Sequence, residues 1–180
     1  MFRSLRTLFL TRRTFLIGWS LAVLFVLGWV WPWLFVWTKL IFLFFVLAIC
    51  ADLFLLYGRR SGMKGTRRTL ERWSNGDNNP VTVQLESGYG TPVNLRVLDE
   101  LPVQFQKRDL VFKARIPSWG RRDFDYEVRP VTRGVYRYGA INALVSTPIG
   151  LVERRYRLDA DKEVAVYPSY LQLRKYELLP

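Results

Sequence analysis

Apolar and polar positions divide this chain into two parts with different periods. From Phe15 to Tyr57 the sequence reads FLIGWSLAVLFVLGWVWPWLFVWTKLIFLFFVLAICADLFLLY, an almost unbroken apolar and aromatic run. From Thr66 onward the period drops to two. Val81, Val83 and Leu85 alternate with Thr82, Gln84 and Glu86; Val93, Leu95 and Val97 with Asn94 and Arg96. Phe112, Ala114 and Ile116 alternate with Lys113 and Arg115, and Phe124, Tyr126 and Val128 with Asp125, Glu127 and Arg129. The first part predicts membrane helices and the second half-buried antiparallel strands.

Within the apolar part, Thr14 to Trp31 is 18 residues, about 27 Å as a helix and so about one hydrocarbon core. Pro32 interrupts the run, and a second stretch from about Thr38 to Tyr57 is again long enough to cross. The expectation is a two-helix transmembrane hairpin over 14–57 with its turn at 31–37. A single long helix buried in a soluble protein is excluded by Pro32 and by the length of the run. Trp29, Trp31, Trp33 and Trp37 crowd around the turn; their rings suit the headgroup level, so they read as interfacial anchors rather than a ligand cage. Lys39 lies near the outer end, where it can snorkel. Asp52 lies about a turn and a half before Tyr57, and two readings stay open. It marks the membrane edge, reaching the interface or Arg59, or it contacts something of functional importance.

The net charge of +12 invites a nucleic-acid reading until it is partitioned. Arg3, Arg6, Arg12 and Arg13 precede the first span, and Arg59, Arg60, Lys64, Arg67 and Arg68 follow the second, with no acid among them. These flanks supply nine of the twelve charges, and the part from Thr69 holds 17 basic and 14 acidic residues. The excess therefore sits where it sets topology and attracts anionic headgroups, which argues against nucleic acid as a partner. The positive-inside rule applied to Arg12, Arg13, Arg59 and Arg60 puts both termini and the β domain in the cytoplasm. No small-residue cleavage site follows the basic segment 1–13, so it reads as a signal-anchor rather than a cleaved leader. Cys50 is the only cysteine and there is no histidine. An internal disulfide is impossible, and the commonest general base and metal ligand is missing.

Turn signals at 75–80, 87–90, 101–102, 118–120 and 133–134 separate the strands, and later strands fit Val135 to Val145, Leu151 to Leu158 and Glu163 to Tyr167. Seven or eight short strands at this spacing predict an immunoglobulin-like antiparallel β-sandwich over 66–168, with a small barrel as the rival. The segment 58–65 reads as a linker and 169–180 as a tail or the start of another domain.

The most distinctive local run is Arg129-Pro130-Val131-Thr132-Arg133-Gly134-Val135-Tyr136-Arg137-Tyr138-Gly139. It continues to Ser146-Thr147-Pro148-Ile149-Gly150-Leu151 and ends in Val164-Ala165-Val166-Tyr167-Pro168. The order R-P-x-x-R-G-x-Y-R-Y-G, S-x-P-x-G-L, V-x-V-Y-P resembles the bacterial proteins grouped as domain of unknown function 58. In these a basic N-terminus and a membrane hairpin precede a β-sandwich. The resemblance covers essentially the whole chain. It implies a bacterial inner-membrane protein, and an accessory or assembly role beside a MoxR-type AAA+ ATPase and, often, a transglutaminase-like membrane protein. Family members usually continue into a domain similar to the von Willebrand factor type A fold. Its G-E-F-x-x-L-R-E-Y-like and G-D-x-x-R-x-I-x-W-like runs do not occur here, and the sequence stops where a linker to that domain is expected. Read as residues, the motifs are mainly structural: Gly134 and Gly139 flank a strand, Tyr136 and Tyr138 share one face of it, and Pro148-Ile149-Gly150 makes a turn.

Catalytic patterns are absent: there is no P-loop, dinucleotide glycine motif, zinc spacing or nucleophile elbow. The pairs Asp99-Glu100 and Asp125 with Glu127 read as solvated carboxylates among basic neighbours, and Arg121-Arg122 and Arg154-Arg155 as a solvated edge or a surface against headgroups. The expected function is that of a membrane-anchored, non-enzymatic interaction protein without a cofactor. The alternative is a tethered phospholipid- or nucleic-acid-binding module.

Overall fold

A computed structural model describes residues 7–58, 62–106, 110–159 and 162–168. In chain order the elements are β1 (Leu8–Leu10), α1 (Arg12–Val30), α2 (Pro32–Tyr57), β2 (Met63–Thr69), β3 (Arg72–Ser74), β4 (Asn79–Ser87) and β5 (Val93–Asp99). A 3-10 turn (Val103–Phe105) precedes β6 (Leu110–Ile116), β7 (Arg121–Val128), β8 (Gly134–Arg137), β9 (Ile141–Ser146), β10 (Val152–Leu158) and β11 (Glu163–Tyr167). The β part is an immunoglobulin-like sandwich.

Its first layer is a five-stranded antiparallel sheet in the order β1-β10-β9-β5-β6. The second is the antiparallel sheet β2-β4-β7. Alternation decides the packing: Val83, Leu85 and Phe124 from one layer meet Leu95, Val97, Ile116, Ala143 and Val145 from the other in one buried core. A third sheet, β3-β11-β8, covers a smaller aromatic core of Trp73, Tyr136 and Tyr138 at one end of β4 and β7. Here β11 runs parallel to β3, a pairing that alternation alone does not reveal.

The helices form an antiparallel hairpin with almost no connector. Thr11 caps α1, Trp31 alone interrupts the helical backbone, and Pro32 opens α2 at the position where a missing N–H costs nothing. The corner is tight because Gly28 lies against Phe35, where an added Cβ would sit 3.0 Å from the Phe35 Cα. Phe25 packs edge-on to both Phe35 and Phe42. Both helices are long and apolar enough to cross a bilayer, and only 17% and 11% of their apolar windows are buried. A core helix of a soluble protein buries most of its apolar surface. Trp29, Trp31, Trp33 and Trp37 are all exposed around the corner.

Several expected boundaries move. The turn is not 31–37 but one residue, with Trp33 and Trp37 inside α2, because a proline at a first helical position starts a helix as readily as it ends one. The segment 1–13 is not simply a basic tail: Leu8–Leu10 is an edge strand on β10, too short to show a period. The segment 58–65 is not wholly linker, since β2 begins at Met63; its inward positions are Met63, Gly65 and Arg67, a pattern masked by glycine and arginine. The single strand expected over Val135 to Val145 is two, β8 and β9, in different sheets. Arg59, Arg60 and the segment 169–180 lie outside the described residues.

Candidate functional site

At 26 residues against 19, α2 outlasts α1 by seven, roughly 10 Å of helix. This surplus is seated in the sandwich. Leu56 is fully buried in the main core, and Phe45, Ala48, Ile49, Leu53 and Tyr57 pack against it. The helix thereby becomes a member of the β domain's core.

Asp52 holds the seat. It is fully buried, and its carboxylate accepts hydrogen bonds from the backbone N–H groups of Leu151 and Val152, both at 2.8 Å, and from the Thr147 hydroxyl. Thr147 Oγ1 in turn accepts from the Ile149 N–H at 3.1 Å. The other side of the same loop is gripped by α1. The Leu151 carbonyl accepts from the Thr11 N–H at 3.1 Å and from the Thr14 hydroxyl, and the Thr11 hydroxyl donates to the Gly150 carbonyl at 2.8 Å. Two consecutive peptides of the sandwich, Gly150–Leu151 and Leu151–Val152, are thus held from both sides, their N–H groups by α2 and their C=O groups by the start of α1. Gly150 makes this possible, since its φ of +69° belongs to the left-handed region that side chains disfavour. The S-x-P-x-G-L run is therefore the plate into which the hairpin locks, with Pro148 outside, Leu151 buried and Thr147 aimed at Asp52.

A second set of contacts closes the end of α2. Arg154 donates to the Leu56 carbonyl at 2.7 Å and lies over the rings of Tyr57 and Tyr156. It serves as a cationic cap where the helix presents unpaired carbonyls. The Tyr89 hydroxyl also donates to the Leu56 carbonyl, at 3.3 Å, and bonds to the Tyr156 hydroxyl. Burial first, then this mutual bond, pushes the Tyr89 phenol above its ordinary range, and burial does the same to Tyr156. Arg154 is thus part of the seat, rather than a solvated or headgroup-facing residue. Arg155 is held by Asn142 Oδ1.

Deeper in the sandwich a polar cluster occupies the junction of its two cores. Arg67 and Asp99 form an ion pair with no side-chain exposure, and Tyr126 donates to Asp99 Oδ2. The Arg67 guanidinium also reaches the Gly139 carbonyl at 3.2 Å and lies 4.1 Å from the Tyr138 ring centre. Glu100 accepts from the Ala140 N–H at 3.1 Å and from the Asn142 amide. Its carboxyl fills the space where a Cβ on Gly139 would be. Two expectations are corrected here. Arg67 does not flank the membrane, and Asp99 is not solvated; each buries its charge against the other. Burial, reinforced by the Asp99 charge, pushes the Tyr126 phenol well up, and burial raises Tyr138 also.

The remaining motif residues sort by burial. Tyr136 on β8 and Tyr138 just after it are both buried, while Arg137 points out and pairs with Glu163 at 2.7 Å. The Tyr136 hydroxyl donates to the Thr132 carbonyl at 3.0 Å. Gly134 has a φ of +138°; Arg133, Tyr167 and Pro168 are exposed, and Arg72 lies over the Tyr167 ring. Asp125 and Glu127 are exposed and bond to Thr82 and Asn78. Among the described residues no group of three or more His, Cys, Asp or Glu is placed to hold a metal ion. What the junction does chemically is present acceptors to buried donors; it is a clamp. Asp52 stood out in the sequence as an acid in an apolar helix, whereas Thr11, Thr14 and Thr147 gave no signal. The Thr11 and Thr14 hydroxyls meet backbone carbonyls, which any sequence supplies, and Thr147 meets an acid 95 residues away.

No family model matches the chain, and a search of curated proteins finds no match. Among solved structures, the CARDB domain of a Pyrococcus furiosus protein is similar over 58% of this chain and 87% of that domain, at 14% identity and a TM-score of 0.39. A PapD-like domain of human CEP192 is similar over 59% of this chain and 87% of that one, at 14% identity and a TM-score of 0.39. The PKD domain of an M14-like peptidase from a Thermoplasmatales archaeon follows at 11% identity, 59% and 94% coverage and a TM-score of 0.33. These are likenesses of β-sandwich architecture only.

Proposed function

We propose that this chain is a membrane-anchored, non-enzymatic interaction protein of the bacterial inner membrane, with both termini and the sandwich in the cytoplasm. The observation that carries this reading is the clamp. Asp52, Thr11 and Thr14 fix the β domain to the hairpin through one loop, so the sandwich is held in a defined pose and not on a free tether. A rigid pose suits a protein whose role is to present a surface, and anchoring raises the local concentration for partners in the same membrane. Arg12 and Arg13 stay exposed at the first turn of α1, in keeping with a cytoplasmic flank. By resemblance the partner is a MoxR-type AAA+ ATPase or a transglutaminase-like membrane protein. Docking falls on the outer face of the five-stranded sheet, where Lys113, Arg155 and Arg157 are exposed and fit an acidic partner surface.

The test is co-purification of such an ATPase with the full chain from detergent extracts, with photo-crosslinkers at Lys113 and Arg157. Repeated absence of a crosslinked partner counts against the reading. A reporter active only outside the cytoplasm, fused after Pro180, is expected to stay silent; activity there inverts the topology.

A further inference from the structure

Near the start of α1 the five-stranded sheet carries a polar cleft of about 260 Å³ lined by Thr11, Arg12, Arg13, Asn94, Arg96, Ser146, Gly150 and Glu153. Three arginines face one glutamate there, and among the described residues none of the three is in an ion pair. The sheet contributes a planned surface. Asn94, Ser146 and Glu153 lie in one row across β5, β9 and β10 on the outer face, with Arg96 one pleat further on β5.

The height of the cleft follows from the clamp. Asp52 bonds at Leu151 and Val152, and Leu56, one helical turn later, bonds at Arg154. So β10 and the end of α2 run the same way, and the sheet stands upright on the hairpin. Arg12 and Arg13 open a 19-residue helix that spans about 28 Å, the thickness of one hydrocarbon core. The cleft then lies at the level of the headgroup layer, roughly 5–8 Å deep.

We propose that this cleft binds the phosphodiester headgroup of an anionic phospholipid. Guanidinium groups from α1 and β5 take the phosphate oxygens, a fork geometry suited to phosphate. Asn94 and Ser146 hydrogen-bond the polar end of the headgroup. The site rests on the membrane reading above and adds to it a selectivity that a general basic flank does not have. Arg96 is the discriminating residue: it belongs to the sandwich, 44 residues beyond Asp52 in the sequence, and has no part in topology.

Native mass spectrometry of the full chain in detergent, titrated with phosphatidylglycerol or phosphatidylcholine, tests the proposal. Phosphatidylglycerol is expected to be retained about tenfold better. Arg96→Gln and Arg13→Gln are each expected to lower that retention about fivefold and to leave phosphatidylcholine unchanged, while Arg96→Lys keeps part of it. Equal retention of the two lipids, or unchanged selectivity in Arg96→Gln, overturns the site. Inorganic phosphate and soluble glycerophosphoglycerol, added in excess, are expected to compete poorly; full displacement by inorganic phosphate assigns the cleft to a free anion and overturns the lipid proposal. Alkaline carbonate washing separates the two levels. A chain that washes out of membranes removes the anchoring reading and the lipid site together, whereas one that stays but shows no selectivity loses the site alone.

Discussion

Asp52 on α2 and Thr147 in the loop before β10 lie 95 residues apart in the chain and share a buried hydrogen bond. The same carboxylate takes the next two free N–H groups of that loop, so a single side chain replaces the water that three donors would otherwise hold. Asp52→Ala leaves those donors buried without acceptors and is expected to destabilise the seat by about 2–4 kcal/mol, against about 1–2 for Asp52→Asn, which keeps one oxygen. Thermal unfolding of the full chain in detergent reads this. Wild-type melting in Asp52→Ala would remove the clamp from the account.

The Arg67–Asp99 pair predicts a marked non-additivity. Arg67→Met alone strands a buried carboxylate and is expected to cost about 3–5 kcal/mol. Arg67→Met with Asp99→Leu is expected to recover most of that loss, because replacing both members of a buried pair is often nearly neutral. A double-mutant cycle by chemical denaturation measures it; simple additivity of the two single costs would contradict coupling between the two buried charges.

Alkaline pH should weaken the sandwich. The Tyr126 and Tyr89 phenols are raised in the folded state, mainly by burial, so folding favours their protonated forms. Their contribution is complete below the unfolded value of about 10 and is lost as pH rises above it. Stability is expected to fall from about pH 10 upward, and less steeply in Tyr126→Phe. Parallel stability–pH curves for wild type and Tyr126→Phe would show that this phenol does not titrate on unfolding.

Gly139 and Gly150 are both required, for different reasons, and substitution separates them. Gly139→Ala drives a Cβ into the Glu100 carboxyl and is expected to cost about 1–3 kcal/mol through overpacking. Only partial relief is expected when Glu100 is also shortened to alanine, because the Glu100 Cβ that alanine keeps would still lie 2.7 Å from the new Cβ. Gly150→Ala meets open space within 3.5 Å but a φ of +69°, so about 1–2 kcal/mol is expected from backbone strain, with no rescue by any neighbour. Melting temperatures of the two single variants and the Glu100 combination decide between the mechanisms.

The strands were legible wherever inward positions are apolar. Val81, Val83 and Leu85 announce β4, and Glu163–Tyr167 matches β11 residue for residue. Legibility fails where an inward position holds a residue of the wrong type, as Gly65 and Arg67 do in β2, or where the strand is as short as Leu8–Leu10. It also fails at Tyr138–Ala140, where the chain leaves one sheet for another and the inward positions shift from Tyr136 and Tyr138 to Ile141, Ala143 and Val145. The reason lies 40 residues upstream in Glu100, which takes the Ala140 N–H. The clamp was half legible: an acid in an apolar helix is conspicuous, but the backbone N–H groups it serves leave no mark in a sequence.

The seat also fixes an order of events. Thr11, Thr14 and Asp52 belong to the first segments synthesised, and each waits for Thr147 to Val152, 95 to 100 residues later in translation for Asp52 and 137 to 140 for the two threonines. While the ribosome makes the intervening strands, the hairpin has no plate to lock into and β1 has no partner to pair with. Whichever sheet forms first, the joint between helices and sandwich is therefore completed late, by contacts of high sequence separation, and its closing marks the point at which the newborn chain becomes one body.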